Sequence, residues 1–234
     1  MKKSIFLLSV AFFAIFSVSA IFTEQKVVHS INLSLPYEHR TVEIEDIFAD
    51  SEVNPPDTVT LNYFSANFNW NRMAIYDSGF SFLLGMGIGF TTAVPQAFFT
   101  DFLSGVRTDI KTGWGFAPIN TDKMILAFHG FIAVNLRYLK AEEERAQTGS
   151  NANYTTYAYH IFDYDMPIGI DGVFVFKLGD SFALFTGLDL STNLFGVGMY
   201  DADDHGEGGS EGYEFTYGFT GINVTPRIGI CWVF

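Results

Sequence analysis

The chain of 234 residues has little of what proteins use to form disulfides, soft metal sites or nucleic-acid interfaces. Its single cysteine, Cys231, allows neither an intramolecular disulfide nor a cysteine-based metal site. The 13 basic residues face 26 acidic ones, which argues against a nucleic-acid partner. Beyond the first 20 residues, no apolar run is long enough for a helical membrane span. Yet 48% of the residues are hydrophobic and 17% are aromatic, which is unusual for an acidic soluble domain.

The first twenty residues have the pattern of a secretory signal peptide. Met1-Lys2-Lys3 is basic, the stretch from Ile5 to Val18 is apolar, and Val18-Ser19-Ala20 is a small-residue cleavage site. We therefore predict cleavage after Ala20 and a single mature domain, residues 21–234. Cleavage leaves 11 basic residues against 26 acidic ones and a formal charge of −15.

The end of the chain reads as a strand with one apolar face. From Ile222 onward, every second residue except Pro226 is large and apolar. The positions between them are mostly small or polar and include the charge of Arg227. A last strand of this kind, ending on an aromatic residue such as Phe234, is typical of a β-barrel whose apolar face meets lipid. In a closed barrel, all backbone N–H and C=O groups form hydrogen bonds between strands, which is necessary in a membrane because lipid offers no partners.

Eight strands are predicted, joined alternately by long loops and tight turns. The turns are Asp77-Ser78-Gly79, Asn120-Thr121-Asp122 and Gly179-Asp180. This alternation of long loops and tight turns predicts an all-β, up-and-down antiparallel transmembrane barrel of eight strands with long external loops. The predicted strands are 27–35, 58–76, 80–91, 110–118, 123–139, 166–178, 181–194 and 222–234. The predicted loops are 36–57, 92–109, 140–160 and a fourth that includes 201–209.

Two local irregularities are also predicted. After Trp70 the apolar positions of the second strand shift from even to odd numbers, which predicts a bulge near Asn71-Arg72. In the second loop, apolar residues with helical spacing predict a short helix within Gln96–Val106 that packs on its own loop. An alternative is that this segment caps the barrel or dips toward the bilayer surface.

A soluble lipocalin-like barrel has the same strand count, and the two folds differ in which face is apolar. The alternate face here carries glycine, serine, asparagine and single charges, which suit a narrow interior and would make a poor soluble surface. Aromatic residues near strand ends fit the interfacial girdles of a membrane barrel. These residues are Trp70, Tyr76, Tyr138, Trp232 and Phe234.

The signal peptide, the alternation, the eight strands and the terminal Phe234 together resemble the small outer-membrane barrels of the OmpX, OmpW and OmpA-transmembrane type. The resemblance implies a location in the outer membrane of a diderm bacterium and contact with outer-membrane lipid. It also implies that the outer-membrane assembly machinery recognises the chain through Phe234. No motif selects one of these families.

Outward apolar faces place charged residues in the lumen, where they need partners. These residues are Lys111, His129, Arg137, Asp171, Lys177, Asp189 and Arg227. Counting along the last hairpin predicts an ion pair between Asp189 and Arg227. Asp171 and Arg137 are predicted as further members of this structural network. The network would obstruct passage, so we expect a plugged barrel without a wide channel.

No catalytic, cofactor-binding or metal-binding residue is predicted. His129 is the only histidine in a predicted wall, and an imidazole beside an inward serine such as Ser81 or Ser181 is the arrangement of a hydrolase. No motif connects these residues, so His129 is interpreted as a lumenal histidine with satisfied hydrogen bonds. Four acidic residues of the fourth loop offer oxygen ligands for a surface cation without the spacing of an EF-hand, so a solvated acidic loop is the simpler interpretation. They are Asp201, Asp203, Asp204 and Glu207.

The sequence thus favours a non-enzymatic integral outer-membrane protein with a structural role and surface interactions through acidic loops. An extracellular ligand or divalent cations are the candidate partners of these loops. One alternative is a narrow porin-like channel or a transporter of small apolar molecules, with Leu83, Phe131 and Phe185 lining an apolar pocket at the loop end. A second alternative is a lipid-modifying outer-membrane enzyme that uses His129.

Overall fold

The computed structural model describes residues 24–43, 58–95, 103–146, 154–179, 181–204 and 213–234. The predicted signal peptide lies outside these residues. Within them no helix is long and apolar enough to span a membrane. The strands are β1 (Glu24–Ser34), β2 (Tyr37–Glu43), β3 (Thr58–Tyr76), β4 (Phe80–Pro95), β5 (Leu103–Asn120), β6 (Met124–Ala146), β7 (Tyr154–Lys177), β8 (Phe182–Asp204) and β9 (Tyr213–Val233).

The strands close into an antiparallel barrel with eight wall positions. β1 and β2 share one position, because both pair with β3 on one side and with β9 on the other. Pro36, which has no backbone N–H, separates them, but Ser65 N still donates to Pro36 O (2.9 Å) and Leu35 N to Pro226 O (3.0 Å). Each later strand pairs with its neighbours in sequence. The predicted eight-stranded up-and-down barrel is confirmed.

The two ends of the barrel differ. At the turn end, residues 77–79, 121–123 and 178–181 join β3 to β4, β5 to β6 and β7 to β8. Gly79 has a φ of 77°, a backbone conformation that residues with a side chain rarely adopt. Glycine at this position therefore allows the first turn to be this short. The first and last strands also meet there, since Val27 N donates to Phe234 O (3.0 Å) and Phe234 N donates to Val27 O (2.9 Å). The opposite end is the loop end.

Much of the sequence predicted as loop is strand. β2 lies within the predicted loop 36–57, β5 begins at Leu103, β6 extends to Ala146, and β7 begins at Tyr154. Residues 103–106 of the predicted helix also belong to β5, where Leu103 faces inward and Val106 faces outward. Residues 44–57, 96–102, 147–153 and 205–212 lie outside the described residues. The prediction was wrong for the strand parts because charged residues were interpreted as solvated loop, whereas many face the lumen.

The predicted bulge near Asn71-Arg72 is also absent, since β3 pairs with β4 without a register shift from Leu61 to Ile75. Met73 and Ile75 stay on the inward face and are buried there. The apolar pattern changes phase because the lumen itself becomes apolar at the turn end. The side chains, not the backbone, therefore account for the change.

The outward face is apolar along the described strands. It carries large side chains that a soluble surface would not expose together, such as Phe90 (76% exposed), Ile228 (68%) and Phe116 (65%). Soluble monomers rarely expose contiguous apolar patches of more than a few hundred Å². The buried residues, in contrast, include eleven charged or histidine side chains. This polarity excludes the lipocalin-like alternative and fits a barrel surrounded by lipid.

Candidate functional site

The lumen is layered, and one strand shows the order. Along the inward face of β5, from the loop end, Leu103 is followed by Arg107, Asp109, Lys111 and, near the turn end, Ala117. Apolar side chains therefore close both ends, and charged side chains fill the middle. The candidate site is this charged interior.

The turn-end layer is an apolar core inside the barrel. It packs thirteen side chains from all around the wall, all of them at most 7% exposed. Burial of this much apolar surface excludes water from the turn end of the lumen. The members are Val28, Met73, Ile75, Leu83, Ala117, Ile125, Ala127, Val173, Val175, Ala183, Phe185, Cys231 and Val233.

Directly above this layer lies the central cluster, which consists of Lys111, Asp171, Asp189 and Arg227. Lys111 Nζ lies 2.9 Å from Asp171 Oδ2 and 2.8 Å from Asp189 Oδ2. Arg227 Nη2 lies 2.8 Å from Asp189 Oδ1 and also binds Asp171. Each cation thus contacts both carboxylates. Gly187 faces Arg227 across the β8–β9 ladder, and a side chain there would collide with the guanidinium.

The loop-end cluster is larger and consists of Glu38, Arg40, Arg107, Arg137, Asp163 and Asp165. Glu38 is fully buried and accepts hydrogen bonds from all three arginines. Arg40 also donates to Asp163 Oδ2 (2.9 Å) and binds Asp165, while Arg137 donates to Asp165 Oδ2 (3.2 Å). Three cations and three carboxylates therefore neutralise one another in the lumen. One carboxylate, Glu38, joins the three arginines.

Aromatic rings complete both clusters. The Arg40 guanidinium carbon lies 4.0 Å from the ring centre of Phe219 and 4.6 Å from that of Tyr63. Lys111 Nζ lies 4.9 Å from the ring centre of Phe131. Such cation–π contacts stabilise a charge that has lost its water.

The structure brings three of the four predicted network residues together and separates the fourth. Asp171, Asp189 and Arg227 belong to the central cluster, whereas Arg137 lies in the loop-end cluster. Arg137 pairs with Asp163 across the β6–β7 ladder, while Asp171 pairs with His129, eight residues nearer the turn end along β7. Lys177, also placed in the lumen by the sequence, is only partly buried at the turn end.

Most residues of the loop-end cluster were missed by the sequence reasoning. Glu38, Arg40 and Arg107 fell in the predicted loops 36–57 and 92–109, and Asp163 and Asp165 fell between the predicted loop 140–160 and the predicted strand 166–178. A signal was present, because charges recur at every second residue at Glu38 and Arg40 and again at Arg107, Asp109 and Lys111, as expected for one face of a strand.

One wall of the charged interior is built in rows across β3, β4 and β5. The ladders align Asn71 with Gly85, Asn69 with Gly87, and Asn67 with Gly89. They also align these three glycines with the charged residues Lys111, Asp109 and Arg107 of β5. A Cβ atom on any of the three would lie within 2.4 Å of an atom of β3, so only glycine leaves room for the asparagine side chains.

The structure brings Ser81 and His129 together below the central cluster. Ser81 Oγ and His129 Nε2 are 2.9 Å apart, and Asp171 faces His129 across the β6–β7 ladder. A hydrolase needs such a pair, but it also needs a route for the substrate. Ser81 is 0% and His129 1% exposed, so no substrate can reach the hydroxyl in this state. Ser181 lies exposed at a turn instead.

The other predicted sites have no described side chains or lie elsewhere. Only the backbone of Asp201, Asp203 and Asp204 is described, at the end of β8, and Glu207 lies outside the described residues. Among the described side chains, no group of three histidine, cysteine, aspartate or glutamate residues is arranged to hold a metal. Leu83 and Phe185, expected to line a pocket at the loop end, instead fill the turn-end layer.

An apolar exterior, a charged interior and a closed antiparallel ladder define an integral membrane β-barrel of the outer-membrane type. No family model matches the chain, and no curated protein matches it significantly. Its structure is similar to that of the outer-membrane protease OmpT from Escherichia coli (9% identity, 91% of this chain and 98% of that chain, TM-score 0.44). It is also similar to a major outer membrane protein from Thermus thermophilus (9% identity, 87% of this chain and 99% of that chain, TM-score 0.48). None of these likenesses bears on the function of this chain.

Proposed function

We propose that this chain is a non-conducting, non-enzymatic protein of the outer membrane of a diderm bacterium. Its role is structural, and its acidic loops interact at the cell surface. The observation that carries the proposal is the filled lumen: two neutralised ion clusters lie between apolar side chains at both ends. A channel for solutes needs a continuous polar path, which this arrangement lacks.

The closure at both ends supports this proposal. At the loop end, Val42, Leu103, Leu139 and Ile161 are buried on the inward faces of their strands, each nearer the loop end than the cluster residue of its own strand, and Leu61 is buried opposite Arg40. At the turn end, Lys26 of β1 donates from Nζ to the carbonyl oxygen of Thr121 (3.0 Å), in the β5–β6 turn on the opposite side of the barrel. This contact adds a bridge across the mouth below the apolar layer.

We expect the mature chain, residues 21–234, to show no conductance steps in planar lipid bilayers. The reason is that ions would have to displace buried ion pairs and cross two apolar layers. Insertion is checked in the same samples by resistance to SDS and by the mobility shift on boiling. Stable steps from a correctly folded sample would contradict the proposal and favour the porin-like alternative.

The enzyme alternative can be tested at Ser81. We expect no labelling of the folded barrel by a fluorophosphonate, since the probe cannot reach the buried hydroxyl. Mass spectrometry of the treated protein measures this, with an outer-membrane serine hydrolase as the positive control. Labelling of Ser81 that disappears in His129→Ala would instead establish a hydrolase.

The proposed surface role rests on the acidity of residues 44–57 and of residues 201–207, the first four of which end β8. Carboxylates on solvated loops attract cationic partners and divalent ions. The range of this attraction becomes shorter as the salt concentration rises. Cells that display the chain are expected to bind poly-lysine-coated glass more strongly than cells displaying a variant with amides in place of the acidic residues. The difference should disappear at high salt. Equal binding by both would argue against a surface role for these loops. The replaced residues are Glu45, Asp46, Asp50, Glu52 and Asp57.

A further inference from the structure

The asparagines of β3 and the charged residues of β5 in these rows border a polar cavity of about 40 Å³. It lies between the two ion clusters, and Asn67, Asn69, Asn71, Asp109 and Lys111 contribute to its lining. A single water occupies roughly 10–15 Å³ on this measure. The cavity is therefore large enough for an ion with one or two waters.

The oxygen atoms of the asparagine row point toward the glycines. Asn67 Nδ2 donates to Asp109 Oδ1 of β5 (3.0 Å), and Asn69 Nδ2 donates to Ser34 Oγ of β1 (2.9 Å), so both amide nitrogens are used in hydrogen bonds. Each Oδ1 lies beside a glycine of β4, and a Cβ atom on Gly89 would lie 2.4 Å from Asn67 Oδ1. A Cβ atom on Gly87 would lie 2.2 Å from Asn69 Oδ1 and 2.7 and 3.0 Å from the two Asp109 carboxylate oxygens. These three oxygens therefore lie within 3.0 Å of a single point next to Gly87.

An unsatisfied acceptor lies in the next row toward the loop end. Asn67 is 1% exposed, and its Oδ1 has no hydrogen-bond partner among the described residues. Its orientation is fixed, because turning the amide would place its oxygen against the Asp109 carboxylate. A buried acceptor left without a hydrogen-bond partner destabilises the folded state. The site therefore needs a donor or a cation.

The formal charges of the described lumenal residues indicate whether the missing partner is a hydrogen-bond donor or a cation. The two clusters are each neutral, and Asp109 is one additional carboxylate. Its nearest cation is Arg107, whose Nε lies 3.9 Å away and whose Nη1 binds Glu38. Among the described residues of the interior between the two apolar layers, one negative charge is thus unbalanced in a confined, poorly solvated space, which is costly unless it is compensated.

We propose that Asp109, Asn69 and Asn67 bind one alkali-metal cation, Na⁺ or K⁺. Hard oxygen ligands suit such an ion, as they suit Ca²⁺ and Mg²⁺. A single carboxylate with amide oxygens, and a charge imbalance of one, match a monovalent ion. The inference is independent of the proposed function, since a conducting barrel could hold the same ion.

Two measurements on the full mature chain test the proposal. Crystals soaked in RbCl should show an anomalous peak between Asp109 and Asn69. In detergent, the urea midpoint should be higher in KCl than in choline chloride of equal ionic strength, and it should rise with the logarithm of the K⁺ concentration once the site is mostly filled. Asp109→Asn should lose this dependence, whereas Asp122→Asn, at a fully exposed turn residue, should keep it.

The opposite results overturn the proposal. These are equal midpoints in KCl and choline chloride, or a K⁺ dependence that Asp109→Asn retains. Solvent density without an anomalous signal would assign the cavity to water and would also overturn it. The rubidium experiment uses the wild-type chain, so it decides even if Asp109→Asn fails to refold.

Discussion

Replacing Glu38 with glutamine is expected to lower the free energy of unfolding by about 3–5 kcal/mol, the usual cost of removing one partner of a buried ion pair. The effect should lie at the upper end of this range. Arg40, Arg107 and Arg137 all bind this carboxylate, and its loss leaves three buried arginines with two carboxylates. Urea unfolding in detergent, followed by tryptophan fluorescence, measures the change.

The matched control for Glu38→Gln is Asp122→Asn. It makes the same change of acid to amide at an exposed turn residue and should alter stability by no more than about 0.5 kcal/mol. If Glu38→Gln unfolds at the same urea concentration as the wild type, the arginines must find other partners. The description of Glu38 as the residue that joins the loop-end cluster would then be wrong.

Asp171→Asn should also destabilise the barrel by about 3–5 kcal/mol, and a second substitution should recover much of the loss. Asp171 balances Lys111 and Arg227, so the single variant leaves two cations with Asp189 alone. Adding Lys111→Met restores neutrality with a side chain of similar length. Replacement of a buried ion pair by apolar residues is often neutral. Urea midpoints of the four proteins in this cycle give the coupling energy.

The stability of the double variant relative to Asp171→Asn alone decides the interpretation. If charge balance governs the central cluster, the double variant is more stable than Asp171→Asn alone. If it is less stable, Lys111 contributes through its contact with the Phe131 ring, and the cluster is not held by neutralisation. Lys177→Met, at a partly buried lysine near the turn end, serves as the control for removing a lysine.

The barrel itself could be predicted from sequence because its signals are local. Alternation along 80–91 and 222–234 indicates strands with one apolar face, and Asp77-Ser78-Gly79 indicates a tight turn. Since side chains alternate faces along a strand, the inward position of Asp171, Asp189 and Arg227 followed directly. Their approach to one another required only the register of adjacent strands.

The remaining contacts depend on distances that no local pattern encodes. Glu38 and Arg137 are 99 residues apart, and their contact requires the barrel to close. Charge along 37–43 is equally compatible with a solvated loop and with a strand that crosses a neutralised lumen. No local pattern predicts the inward position of Met73 and Ile75 either. Their apolar side chains face inward because the lumen is apolar at the turn end and charged in its middle.

The pairing of Val27 with Phe234 has a consequence for the order of folding. These residues are separated by nearly the whole mature chain, and loop-closure entropy opposes contacts of such long range. The hairpins join neighbours in sequence and therefore form at a lower entropic cost. The seam between β1 and β9 is consequently expected to form last, after β9 has been synthesised and exported. Until then both edge strands present unpaired backbone groups, so a chain that stops before β9 would be a template for aggregation.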